Sequence, residues 1–311
     1  MRLKNVLSLT TLAVLFAAAV PADATHGWSS YHWPRSCTTC PAVITVYDST
    51  LTTNTGWPTH LNRSVFGDSA NPNTTDRRGW NDSGVLTLSI TAGGNSSTTR
   101  SACSPVTGAL RVCNYTYGTS TGWLGLAQIN TVSGSTSHIA WGTAKMNDSY
   151  FASGYPSTEK RHVMCQEVGH DFGLGHTSEN GSSQNTCMDY YSNTGTSDWT
   201  STGPNQHDFD QLKTQSHWSG APVRPPTVPL VSRAPSDFDR DLGDLNDESQ
   251  WGEAVEFDSE GRGVVYERIL GIDKDGDEHA IMTHVYWADP LVPVDGPREG
   301  PRDGQLKVQL P

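Results

Sequence analysis

The stretch Gln166-Glu167-Val168-Gly169-His170-Asp171-Phe172-Gly173-Leu174-Gly175-His176 decides the reading of this chain. On a helix, Gln166 and His170 are four residues apart and share one face, with Glu167 beside them. Gly173 is a helix stop, because glycine enters the left-handed conformation without a Cβ penalty, and the chain can turn back to carry His176 toward the same point. Three donors and one carboxylate then converge. With histidine at position 166 this would be the long zinc motif H-E-x-x-H-x-x-G-x-x-H, in which three ligands leave one position for a water whose proton the glutamate takes. Glutamine stands there instead. A carboxamide oxygen is neutral and a poorer zinc donor than imidazole. The predicted site is therefore zinc held by His170, His176 and, more loosely, Gln166, with Glu167 as general base. His162, four residues before Gln166, lies roughly 12 Å along the helix axis from His170 by helix rise, too far to share one ion. It reads as a packing or solvated histidine.

A second group of residues follows at Cys187-Met188-Asp189-Tyr190. Taken with the helix motif, these residues resemble the metzincin metalloproteases. The resemblance implies that Met188 lies in a turn beneath the metal and that Tyr190 approaches the zinc or the substrate oxyanion. Upstream, Gly122 to Ile129 and His138 to Asn147 look like the strand pair that precedes the active-site helix in that superfamily. The second would be the edge strand lining the cleft, with Gly142, Thr143, Ala144 and Lys145 pairing to an extended substrate. The match covers about residues 40 to 190. The chain is also similar to a set of secreted bacterial proteins with the same Cys-Gln-Glu-x-Gly-His opening. The resemblance implies an α+β fold, a twisted β-sheet carrying an active-site helix and a methionine turn. It further implies a secreted zinc endopeptidase acting on peptide or protein as a monomer. The rival class is an impaired or inactive relative whose cleft binds peptides or surfaces.

Composition bounds the partners. The first 24 residues have the form of a secretory signal, with Arg2 and Lys4, an apolar core from Val6 to Val20, and Ala22-Asp23-Ala24 as a cleavage site. The core is too short for a membrane span. Without Arg2, Lys4 and Asp23 the mature chain has 19 basic and 32 acidic residues, a net charge of −13. That charge argues against nucleic acid or an anionic membrane as partner. Six cysteines in an exported chain predict disulfides. Cys103 and Cys113 flank a short loop, and Cys165 and Cys187 each adjoin a site residue. Cys37 and Cys40 remain, in a spacing shared with redox and half-zinc motifs but without the partners those need, so a structural bridge is the favoured reading.

The expected organisation is a signal at 1–24, a metallopeptidase domain at 25–220, a proline-rich linker at 221–235 and an acidic extension at 236–311. On this reading the site is complete before Ala221. Val43 to Tyr47, Val85 to Ile90 and Leu110 to Tyr115 are further β-rich segments. Asn54 to Trp80 reads as polar and irregular where metzincins usually carry a long first helix. Helices are predicted from Ser157 to Phe172 and from about Asn205 to Ser216. In the extension, apolar runs from Gly263 to Asp273 and His279 to Ala288 flank Lys274-Asp275-Gly276-Asp277, a hairpin pattern. Asp273, Asp275 and Asp277 hint at Ca2+, but glycine falls fourth and not sixth, which excludes an EF-hand and favours turn chemistry. Asn-x-Ser/Thr sequons stand at Asn62, Asn73, Asn81, Asn95, Asn114, Asn147 and Asn180.

Overall fold

The computed structural model describes residues 26–27, 31–51, 56–70, 77–133, 138–151, 155–179, 182–192, 200–216 and 242–288. The signal segment, the proline-rich linker and the sequons at Asn73 and Asn180 lie outside the described residues.

Eight strands form one mixed sheet, so the architecture is α+β. They are β1 (Ala42–Ser49), β2 (Leu86–Ala92), β3 (Ala109–Tyr115), β4 (Trp123–Ser133), β5 (His138–Asn147), β6 (Glu253–Phe257), β7 (Gly263–Ile272) and β8 (Glu278–Trp287). Their order across the sheet is β2-β1-β3-β5-β4-β8-β7-β6. β2, β1, β3 and β5 run parallel, and every pairing from β5 through β4, β8 and β7 to β6 is antiparallel. The helices are α1 (Trp57–Phe66), α2 (Ser97–Ala102), α3 (Asp148–Phe151), α4 (Ser157–His170) and α5 (Gln206–Ser216).

Two expectations change here. The stretch read as irregular contains α1, whose Trp57, Leu61 and Val65 are fully buried. Their spacing of four makes one apolar stripe, with Pro58 in the first turn, and the stripe outweighs the polar residues around it. The second correction concerns the cleft. β5 is not an edge strand, since Leu110 to Cys113 pair with Gly142 to Lys145 on one side and Leu126 to Ile129 on the other. Its backbone donors and acceptors are taken by the ladder, so Gly142, Thr143, Ala144 and Lys145 cannot add a substrate strand. Nor is β4 free, because Trp123 to Ser133 pair along β8 from Trp287 to Glu278.

The hairpin anticipated in the extension is present as β7 and β8, with Asp273 Oδ1 accepting from the amides of Asp275 and Asp277 in its turn. It is built into the same sheet as the upstream strands.

Strand alternation sorts side chains onto two faces. Gly125 and Ala127 of β4 lie on the face toward α4, opposite Tyr286 and His284 of β8. Leu126, Gln128 and Lys145 point to the other face, where Lys145 Nζ donates to Gln128 Oε1 (3.0 Å) and Asn246 Oδ1 (3.0 Å). That face is covered by the segment containing Leu245 and Trp251.

Helix α4 has no amphipathic stripe, yet nearly every residue is buried. It lies between the sheet and α1, and its polar side chains meet partners. Arg161 donates to Asp68 Oδ2 (2.7 Å) and to the Thr202 carbonyl (3.0 Å), and His162 Nδ1 lies 2.6 Å from the Ser201 carbonyl. His162 is therefore a packing histidine. Asn114 and Asn147 are buried and hydrogen-bonded inside the fold, so their sequons are closed to glycosylation in the folded chain.

Candidate functional site

The site forms where α4 ends. Gly173 takes φ +87°, and Leu174 bridges to Gly27 near the start of the described chain. This reversal carries His176 back to His170, with ring centroids 4.7 Å apart and planes at 86°. His170 Nδ1 lies 2.7 Å from the Leu174 carbonyl. A carbonyl only accepts, so Nδ1 carries the proton and Nε2 keeps its lone pair. Burial, with His284 and His176 close by, holds the pKa of His170 well below the ordinary value, so the ring is neutral. His176 Nδ1 faces Glu179 Oε1 at 3.2 Å, and its buried Nε2 has no hydrogen-bond partner among the described residues.

Gln166 donates from Nε2 to the Asp189 carbonyl at 2.6 Å. Its Oε1 is buried with no hydrogen-bond partner among the described residues. The same holds for both carboxylate oxygens of Glu167. Glu167 packs against β4 at Gly125, where a Cβ would overlap the carboxylate, so glycine is what makes room for it. Burial pushes the Glu167 pKa well above the ordinary carboxylate range.

The downstream residues close the site from below. Cys165 and Cys187 are joined, with Cα atoms 5.9 Å apart, tying α4 to the turn that holds Met188. Cys37–Cys40 and Cys103–Cys113 are joined as well. Three bridges are compatible with an oxidising, extracytoplasmic environment. Met188 is fully buried, and its sulfur lies under Gly169, where any Cβ would overlap it. The Tyr190 ring stands 4.9 Å from that of His176, and its hydroxyl faces Asp258 Oδ2 at 3.5 Å. Burial raises the Tyr190 pKa, so the phenol keeps its proton. The structure thus gathers Gln166, Glu167, His170, Gly173, His176, Met188 and Tyr190. It places the backbone of Gly142 to Lys145 inside the sheet.

Two contributors from the far end of the chain had no motif to announce them. His284 of β8 is fully buried and stacks on His170, with centroids 4.1 Å apart and planes at 13°; it lies 6.3 Å from His176. Asp258, in the turn between β6 and β7, meets Tyr190 and accepts from Arg262 Nε at 2.8 Å. The only sequence signal for His284 is a histidine inside the apolar run from Ala280 to Trp287.

Among the described residues, two groups hold donor atoms that all lie within 4.8 Å of one another. One is His176, Glu179 and Glu256; the other is His26, His207 and Asp208. In the second, His26 Nε2 is 3.0 Å from Asp208 Oδ1. No residues of the turn at Asp273, Asp275 and Asp277 form such a group among those described. Compared with protein-family models, curated proteins and solved structures, the chain yields no match.

Proposed function

We propose that this chain is a secreted, zinc-dependent endopeptidase of the metzincin type. The observation that carries the reading is a set of buried polar atoms without hydrogen-bond partners among the described residues: Gln166 Oε1, both oxygens of Glu167 and Nε2 of His176. Buried polar atoms without partners cost several kcal/mol in a folded protein unless a cation or water meets them, by an order-of-magnitude reckoning. Imidazole nitrogens in the set favour zinc over the oxygen-seeking calcium and magnesium. The residues present therefore fit the metal, with His170, His176 and Gln166 as its holders.

Zinc, when bound, polarises the attacking water and the scissile carbonyl. Glu167 takes one proton from that water and returns it to the leaving amine, so the peptide C–N bond breaks with protons balanced. Tyr190 keeps its proton, and on this reading its hydroxyl would turn from Asp258 to donate to the oxyanion. The expected backbone pairing of substrate with β5 forms no part of this reading, since that strand is internal. The covered outer edge of β4 favours a second reading, a zinc-holding chain that binds without cleaving.

Zinc analysis and casein cleavage by the purified mature chain, beside Glu167→Gln, test both. The peptidase reading expects about one zinc and a loss of about 10²–10⁴-fold in cleavage for Glu167→Gln with zinc retained. Bound zinc without cleavage by the wild type would leave the second reading. Absence of both zinc and cleavage would remove the first.

A further inference from the structure

The geometry points to His284, on the C-terminal strand β8, as the third imidazole of the metal site, supplying the histidine that α4 lacks at position 166. This rests on the metal-site reading above and names a ligand that the helix motif does not contain.

Register brings His284 there. β8 pairs antiparallel with β4 so that His284 stands opposite Ala127 and Tyr286 opposite Gly125. Directly opposed residues share a face, and Gly125 is the residue against which Glu167 packs. A glycine and an alanine on β4 leave the space beneath α4 into which the two large side chains of β8 reach. Tyr286 fills one part, donating to Glu159 Oε1 at 3.2 Å. His284 fills the other, against the ring of His170.

The three rings are neighbours whose nitrogens do not all lie within 4.8 Å of one another as placed, so a shared ion requires the stacked His284 ring to turn toward the other two. Three imidazoles around one tetrahedral zinc, each with a metal–nitrogen bond near 2 Å, have ring centroids about 5 Å apart. The three separations here are 4.1, 4.7 and 6.3 Å. Two are shorter than that figure and one longer. All three side chains are withdrawn from solvent, so an ion among them is held by protein donors. Three imidazoles also relieve Gln166 of a role its oxygen performs poorly. Its Nε2 stays on the Asp189 carbonyl, and its oxygen is left to accept from a water at the remaining position.

Zinc affinity, read by competition with a chromophoric chelator, tests the assignment on the mature chain and on His284→Asn, His170→Asn and Gln166→Ala. A ligand should matter at least as much as the partners that orient ligands, whose loss costs roughly 10–100-fold. His284→Asn should therefore weaken zinc by about 100-fold or more, matching His170→Asn, while Gln166→Ala costs under about 10-fold. X-ray absorption at the zinc edge of the unmutated protein should count three imidazoles, a readout independent of how any variant folds. Two imidazoles, or unchanged affinity in His284→Asn, would overturn the assignment. So would loss of zinc in Glu256→Gln with His284→Asn unaffected, which would move the ion to His176, Glu179 and Glu256. Peptide cleavage is scored separately. Three imidazoles in a protein that cleaves nothing sustain the ligand and refute the peptidase, whereas two imidazoles in an active protein do the reverse.

Discussion

Helix α4 with the turn at Met188, and the C-terminal meander β6 to β8, meet at the same cluster of side chains by opposite routes. The first is local. Gln166, Glu167, His170 and His176 lie within eleven residues, Gly173 reverses the chain between them, and one disulfide fixes the turn beneath. The second is remote. His284 arrives more than a hundred residues later, placed only by the register of β8 on β4. Local chemistry fixes which atoms can hold a metal, while sheet pairing fixes which of them are joined from a distance and what covers them.

The harshest test of that contrast is to remove the remote partner. The described chain from Leu242 to Ala288 covers Trp123, Leu126 and Trp141, each almost wholly buried against it. Exposing three such side chains costs about 1.5–3 kcal/mol apiece, which together approaches the roughly 5–15 kcal/mol that holds a typical domain folded. It also bares the whole outer edge of β4. Chain 25–220 should therefore fail to form a monomer with a cooperative thermal transition, as seen by circular dichroism and size exclusion. A sharp transition from a soluble 25–220 would show instead that the meander is an accessory to an autonomous domain.

Much of the local half was legible in sequence, because its signals are short-range. A four-residue spacing, a glycine stop and adjacent cysteines each carry their own physics, and α4, the reversal at Gly173 and the bridge from Cys165 to Cys187 follow from them. Helix α1 is hard to read in sequence because polar residues mask the buried stripe of Trp57, Leu61 and Val65. The hairpin in the extension was legible from its turn residues. What escaped was its destination. Nothing in the alternation of Ala280 to Trp287 says which strand it pairs with, and a strand flanked on both sides reads the same as one at an edge. The misplacement of Gly142 to Lys145 has the same origin.

A milder probe sets the two halves against each other by their fastenings. The local half has a covalent tie across the site and the remote half, among its described residues, has none. Closing a loop with a sequence separation of 22 is worth about 3 kcal/mol in the chain-entropy reckoning. Cys165→Ala with Cys187→Ala should lower the urea-unfolding free energy by about that much and loosen zinc, while the β7–β8 hairpin keeps its amide-exchange protection. Loss of hairpin protection in step with the helix would mean the two halves unfold as one unit.

The smallest effect is expected where the halves touch on the other face of the sheet. Lys145 of β5 is wholly buried, and its amine donates to Gln128 of β4 and to Asn246 of the C-terminal segment. Burial lowers its pKa to about 7, against the pull of Asp244 and Asp171. Below pH 7 the amine is charged both folded and unfolded, and the cost of burying that charge is paid in full. Between pH 7 and the ordinary lysine value, the unfolded chain binds a proton that the folded chain does not, so stability rises with pH. One group contributes at most about 1.4 kcal/mol per pH unit in that window. Glu167 and Asp171, raised by burial, act with the opposite sign, since the folded form holds the extra proton. The difference between wild type and Lys145→Met therefore removes the Glu167 contribution and reports the lysine together with its pull on Asp171. Urea unfolding of the metal-free proteins at pH 7.0, 8.0 and 9.0, roughly spanning the window, should show the wild type gaining stability relative to the variant as pH rises. A flat difference would mean that the amine stays charged between the halves, held by its acceptors and the nearby aspartates as an ion.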